Sequence, residues 1–376
     1  MGKKMLFYIS LLAVLLCFAA GCADDSANTP TDGSMPTVEN IFSRPEDYPS
    51  GTEDTAETAG TAGSEKEFIE FEQPRSLMHG PTDDNMQKDA FGTYYVYEGG
   101  EMHLQYQILA DGLSTTGVGI LLFLDGQPQP YKTASDGTCS YIHTFYPADK
   151  ERLLEELIFT PVTGEKGDEL ELYMVSIQFP DYFPFDGIFA FPHTSGSTAA
   201  GTRLKFSAAR PAAELPEINS RILSQNVYYE DLPYGDTAGW SDTDLMERVE
   251  SNFTVNGHTA QDSNNLYGIT AEAPVELNFE LWGSPYVNYG LVFFVNNVPV
   301  SAAADDLLFL DVKNGQKTVV EAAVDISDFN GEGVVYGILV PRNYYTSEVL
   351  TRAFVSESRT YYLCGADSYE QAMGLE

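Results

Sequence analysis

The residue types that perform chemistry in proteins are scattered along this chain. The five histidines, His79, His103, His143, His193 and His258, all lie beyond helical or strand reach of one another. They compose no His-Glu-x-x-His zinc motif, and no Cys-x-x-Cys pair accompanies them. No Gly-x-Ser-x-Gly elbow is present, and Ser195, within His193-Thr-Ser-Gly-Ser-Thr198, reads as part of a polar loop. Acidic residues number 56, so a glycosidase-like carboxylate pair could be drawn almost anywhere, and no particular pair is marked out. Asp311-Val-Lys-Asn-Gly315 and Asp328-Phe-Asn-Gly-Glu332 offer oxygens to Ca2+, but neither has EF-hand spacing and turn-forming Asp and Asn account for both. The expectation is a chain that is not an enzyme and holds no cofactor, with Ca2+ the one ion for which ligands are on offer.

Aromatic side chains are the better lead. Trp282 falls on the polar phase of its segment, after Glu276, Asn278 and Glu280, and the loop expected beyond it holds Pro285, Tyr286 and Tyr289. The stretch Tyr228–Trp240 mixes aromatic and acidic residues in an expected loop. Rings beside hydrogen-bonding acids suit sugars, and they suit cations through cation–π contact. Trp240, Trp282, Tyr286 and Tyr289 are therefore the candidate ligand-binding residues. The structural alternative is that a Trp at a strand end folds over the core edge and the tyrosines cap a sandwich.

The N-terminus carries a different chemistry. Lys3 and Lys4 precede an almost wholly apolar run, Met5–Ala20, that ends in Ala19-Ala20-Gly21-Cys22. The run is shorter than the roughly 20 residues a membrane span needs and has the length and flanks of a signal peptide. Small residues before a cysteine resemble the lipobox of bacterial lipoproteins, with Ala19 where Leu is usual. That resemblance covers only these first residues. It implies cleavage of residues 1–21, with Ala19, Ala20 and Gly21 as the peptidase recognition residues, lipidation of Cys22 and an extracytoplasmic, membrane-anchored location. Two acyl chains suffice for stable anchoring.

Charge narrows the partners. Cleavage removes two lysines and no acids, so the formal charge of 20 minus 56 becomes 18 minus 56, or −38. Nucleic acid needs a basic footprint and is excluded as a partner. Of the four cysteines, Cys139 and Cys364 remain after Cys17 and Cys22; they fall in different expected domains, so a disulfide would have to bridge these.

The elements that must position any site are strands. Residues 22–66 hold ten acids and two bases from Ala23 on, too polar to offset their ordering entropy, and read as a disordered acidic tether. Beyond it, short apolar runs punctuated by Gly, Asp, Asn and Pro indicate an all-β sandwich, with helix expected only at Ala148–Leu157 and Asp242–Glu250. An internal repeat stands out. Met102–Ile108 and Gly119–Pro128 match Val275–Leu281 and Gly290–Pro299, and Leu170–Phe179 with Pro180 parallels Val334–Val340 with Pro341. The first segments alternate strictly. The second are continuously apolar, as strands covered on both faces are, and end in Asp125-Gly126 or Asn296-Asn297, pairs suited to type I′ turns. These readings predict two tandem antiparallel β-sandwich domains, 67–210 and 222–365, joined by Arg210–Glu217. They resemble immunoglobulin-like sandwiches in architecture, without the Cys…Trp…Cys core. The expected role is ligand binding or adhesion, toward a glycan, wall polymer or envelope protein; a structural or assembly subunit is the alternative, and a glycan-acting enzyme follows behind.

Overall fold

The computed structural model describes residues 76–82, 84–111, 117–178, 180, 199–233, 241, 249–259, 266–269, 274–283, 285, 288–301, 307–326, 332–342, 356–357 and 361–365. Every regular element among them is a β-strand. The first set is β1 (Ser76–Pro81), β2 (Gln87–Asp89), β3 (Gly92–Tyr97), β4 (Met102–Asp111), β5 (Val118–Leu124), β6 (Gln127–Gln129), β7 (Lys132–Thr133), β8 (Ile142–Phe145), β9 (Arg152–Phe159), β10 (Glu169–Gln178) and β11 (Ala199–Phe206). The second is β12 (Arg221–Asp231), β13 (Val249–Val255), β14 (His258–Thr259), β15 (Leu266–Ile269), β16 (Val275–Gly283), β17 (Asn288–Val295), β18 (Val298–Pro299), β19 (Leu308–Asp311), β20 (Gln316–Asp325), β21 (Glu332–Arg342), β22 (Ser356–Glu357) and β23 (Tyr361–Gly365).

Each set makes a two-layer immunoglobulin-like sandwich. In the first, the sheet β1-β4-β9-β7 faces β2-β3-β11-β10-β5-β6, with β8 also on β5. In the second, β12-β20-β16-β13-β14 faces β15-β23-β21-β17-β18, with β19 on β17 and β22 on β21. Pairing is antiparallel except for β3 with β11 and β15 with β23, which run parallel. Period-two alternation drives the layering. Met102, Leu104, Tyr106 and Ile108 of β4 point into the first core, and Val275, Leu277, Phe279 and Leu281 of β16 into the second. A side chain as fully buried as Leu104 contributes about 1.5–3 kcal/mol.

The continuously apolar strands have a partner on each face. Even-numbered residues of β5 line the first core, whereas Leu121 and Phe123 join Tyr173, Val175 and Ile177 of β10 in a third cluster. Its other half is Val292 and Phe294 of β17 with Val334, Tyr336, Ile338 and Val340 of β21. The two sandwiches thus pack sheet against sheet, and Lys66–Glu376 is one compact unit. The hairpin turns have the expected geometry, with positive φ at Asp125, Gly126, Asn296 and Asn297.

The helix expected at Ala148–Leu157 does not form. Lys150 takes φ 60° in a turn, and β9 follows, burying Leu157 and Phe159 and leaving Leu154 exposed. Cross-strand pairing with β4 overrides the helix propensity of Glu and Leu. Of Asp242–Glu250, residues 249 and 250 begin β13 and 242–248 lie outside the described residues. Arg210–Glu217 carries no strand but is fastened to the first sandwich by a Lys132–Glu214 ion pair of 2.8 Å. Cys139 is a free thiol whose Sγ approaches the Glu214 carbonyl oxygen at 3.6 Å.

Candidate ligand-binding face

Residues paired across an antiparallel ladder share a face, so the outward side of the sheet β12-β20-β16-β13 can be read in rows. Ser224 pairs with Ala323, which pairs with Glu276. The next row is Asn226, Glu321, Asn278 and Thr254. Tyr228, Val319, Glu280 and Asn252 form the third. At the far end Glu230 pairs with Lys317, and Trp282 with Glu250. The intervening residues Val320, Ala322, Val324, Leu277 and Phe279 lie in the core, which fixes the rows' orientation.

The first two rows surround a concavity of about 490 Å3, lined by Ser224, Asn226, Glu276, Asn278, Glu321 and Ala323 among others. Ala323 is small where its neighbours are long, and that difference opens the hollow. Two amides, a hydroxyl and two carboxylates thus converge on one space, with Thr254 at its rim.

The third row closes one side. Tyr228 Oη donates to Glu321 Oε1 at 2.9 Å. Accepting this bond, Glu321 holds the phenol in its neutral form, and with desolvation and the neighbouring acids it pushes Tyr228 up to about 12. Lys317 Nζ lies 3.3 Å from Glu280 Oε2 and 5.0 Å from the Trp282 ring centroid. Asn252 Nδ2 donates to Glu280 as well, at 3.3 Å. Val319 is buried at the centre of this outward row. The Trp282 Nε1 donor is buried and meets no acceptor among the described residues. Lys317 is the one cation in these rows, against Glu230, Glu250, Glu276, Glu280 and Glu321. Such a face offers acceptors and amides to hydroxyl groups and repels anions.

Trp282, marked out from sequence, does stand on this outward face. Tyr289 does not: strand β17 begins one residue earlier, the phase Tyr289, Leu291, Phe293, Val295 points inward, and Tyr289 is 1% exposed in the core. Trp240 and Tyr286 lie outside the described residues, as do Ala19, Ala20, Gly21 and Cys22. Tyr228 belongs to a strand where a loop was expected. Glu276 and Asn278 were legible as a wet strand face, but Asn226 and Glu321 join them only through long-range register. For Ca2+, Asp311 ends β19 and the residues after it, through Gly315, form the turn to β20. No cluster of three potential metal ligands occurs among the described residues, and of Asp328–Glu332 residues 328–331 lie outside them.

No protein-family profile matches the chain, and no curated protein does. Among solved structures, a Salmonella enterica SafA pilin in complex with the SafB chaperone is similar over 77% of this chain and 96% of its own, at 11% identity and TM-score 0.20. A structure described as BspA_C_WT covers 71% of this chain and 94% of its own at 8% identity and TM-score 0.19. A chicken TCR covers 75% and 98% at 9% identity and TM-score 0.17. Superpositions of that extent decide nothing about activity, and the sandwich assignment rests on the sheets and cores themselves.

Proposed function

We propose that this chain is a lipid-anchored extracytoplasmic binding protein, held to a bacterial membrane through Cys22, that presents the outward face of β12-β20-β16-β13 to a hydroxyl-rich polymer such as a glycan or wall polysaccharide. One observation carries the reading: Asn226, Asn278, Glu276 and Glu321 converge on a single hollow of about 490 Å3. Amide and carboxylate groups so grouped match the alternating donors and acceptors of sugar hydroxyls, and Trp282 at the end of the same face supplies an apolar ring.

Retention on immobilised polysaccharides tests it. Glu321→Ala and Glu276→Ala each remove hydrogen bonds worth about 0.5–1.5 kcal/mol, so each weakens binding up to about tenfold. Binding that withstands both substitutions defeats the reading. A second outcome has its own motive, since Glu276 and Glu321 face one hollow: release of reducing ends from the bound polymer would make the face hydrolytic. Anchoring is tested separately by labelling cells with radioactive palmitate. The wild-type chain takes up label, and Cys22→Ala does not. Label on the Cys22→Ala chain would refute the anchor.

A further inference from the structure

Among the described residues, the outer edge of β12 stands apart from the other sheet edges. β7, β14 and β18 end their sheets with two residues each, β2 and β6 with three, β15 with four, and β1 has six with Pro81 at its end. Short edges and proline are the usual guards against edge-to-edge pairing. Strand β12 runs for eleven residues at the end of its sheet, and all but Ile222 and Tyr228 are exposed. Its charges sit only at the ends, Arg221 at one and Glu230 and Asp231 at the other; Ile222–Tyr229 carries none. Leu223 is 49% exposed, Val227 40% and Tyr229 36%. A bulge takes Leu223 out of register with β20.

We infer that two copies of this chain pair through β12, antiparallel and centred on Asn226, so that two five-stranded sheets become one continuous sheet. The sequence of the edge is complementary to itself in that register. Ser224 falls opposite Tyr228 twice, the bulge lets Ile222 and Leu223 share Tyr229, Arg221, outward like its ladder partner Asp325, thereby meets outward-facing Glu230 twice, and the two Asn226 amides meet on the axis. Opposite charges and apolar–aromatic pairs directly across a ladder are both stabilising. Parallel pairing in register would set Arg221 against Arg221 and Asp231 against Asp231. The ends therefore select one direction and one register, and the contact is isologous and closed, giving a dimer. Because Ser224 and Asn226 also line the hollow, the two hollows adjoin across the axis. That consequence for ligand rests on the proposed function, whereas the dimer itself does not.

The test uses the chain from residue 22 on with Cys22→Ala, so that neither lipid nor the apolar run Met5–Ala20 drives association. Sedimentation velocity at micromolar concentrations shows a dimer. Asn226→Cys yields a disulfide-linked dimer on air oxidation, because two axial residues lie within the Cα separation a disulfide spans. Asn252→Cys, exposed on the inner strand β13, does not. Arg221→Asp weakens the dimer about tenfold or more, and Arg221→Asp with Glu230→Arg restores it. Should Arg221→Asp misfold for lack of its Asp325 partner, Asn226→Lys opposes two lysines on the axis and dissociates the dimer without touching that pair. A wild-type chain that sediments as a monomer throughout overturns the inference. So does equal crosslinking by Asn226→Cys and Asn252→Cys, or a dimer indifferent to Asn226→Lys.

Discussion

Phe123 and Phe294 hold equivalent places in the two halves of the chain and meet edge to face, with ring centroids 6.0 Å apart and planes at 80°. The partners repeat as well: Phe123 pairs with Tyr173, and Phe294 with Tyr336. Asp125 N donates to the Glu171 carbonyl, and Asn296 N to that of Val334. On one side of the seam Arg342 clasps Asp125, with Nε 3.1 Å from Oδ1; on the other, Asn297 Nδ2 donates to the Pro180 carbonyl at 2.6 Å. The seam is a pseudo-twofold contact inside one chain, the intramolecular form of an isologous interface.

Truncating Phe294 to Ala in this dry, close-packed layer removes an aromatic that is 0% exposed and costs about 3–5 kcal/mol in guanidinium unfolding. The double-mutant cycle with Phe123→Ala leaves about 0.5–1.5 kcal/mol of coupling for the edge-to-face pair. Strictly additive losses would show that the two rings act independently.

Gly290 gives a sharper test. A Cβ there would stand 2.5 Å from the Gly126 carbonyl oxygen and 2.8 Å from its Cα, both backbone atoms of the opposing sandwich. The equivalent Gly119 would meet the Ile142 Cδ1 methyl first, at 2.6 Å, and the Pro180 ring at 2.9 Å. A flexible methyl turns away more readily than a peptide unit. Gly290→Ala therefore destabilises by about 1–3 kcal/mol, and Gly119→Ala by less. Thermal melts of the two variants decide it, and the reverse order would mean that the seam opens more easily than the Gly119 pocket.

The sequence showed which strands are covered on both faces, and hid what covers them. Leu121, Phe123, Val292 and Phe294 read only as apolar, and no local pattern says that they meet. Matching the repeats at Pro180 and Pro341 is also offset: shared partners set Gln178, opposite Val118, in the place of Pro341, opposite Tyr289. By the same register Glu171 stands where Val334 does. Alternation placed Trp282, Glu276 and Asn278 on a wet face because local phase decides that. Tyr289 and Tyr228 instead read as loop residues: the phase restarts at Asn288 after a break that follows Gly283, and the long edge strand of Tyr228 is held by β20 some ninety residues away. Leu153, Leu154 and Leu157 suited a helix as well as a strand, and only pairing with β4 separates the two.

An ion network around one buried arginine makes the first sandwich sensitive to acid. Arg203, 2% exposed, bridges Asp89 and Glu169, and Lys205 Nζ lies 2.7 Å from Asp89 Oδ2. Hydrogen bonds from Arg203 and then Lys205 hold the Asp89 carboxyl far below its ordinary 3.8. A depressed carboxyl stabilises fully above its unfolded value and loses that contribution as pH falls toward the folded one. Asp89→Asn is thus less stable than wild type at neutral pH, and the gap narrows only below about pH 4. Denaturant midpoints from neutral pH down to acid test this; a gap already closing at pH 6 would point to another group.

Tyr228 and Glu321 tie the candidate face to a measurable titration. The bond from Tyr228 Oη to Glu321 stabilises the phenol against the phenolate and raises Tyr228 to about 12 from 10.0. A raised folded value means that the bond's contribution is complete below about pH 10 and vanishes as pH rises through 12. Ring-carbon NMR of labelled tyrosine in the intact chain shows a signal titrating near that value, and Tyr228→Phe removes it. In Glu321→Gln the amide oxygen still accepts the bond, but the negative charge is gone, so the same signal shifts toward the ordinary tyrosine range. A late signal that survives Glu321→Gln unshifted would assign the shift to burial, and the two residues would then not share a proton-sensitive contact at the edge of the hollow.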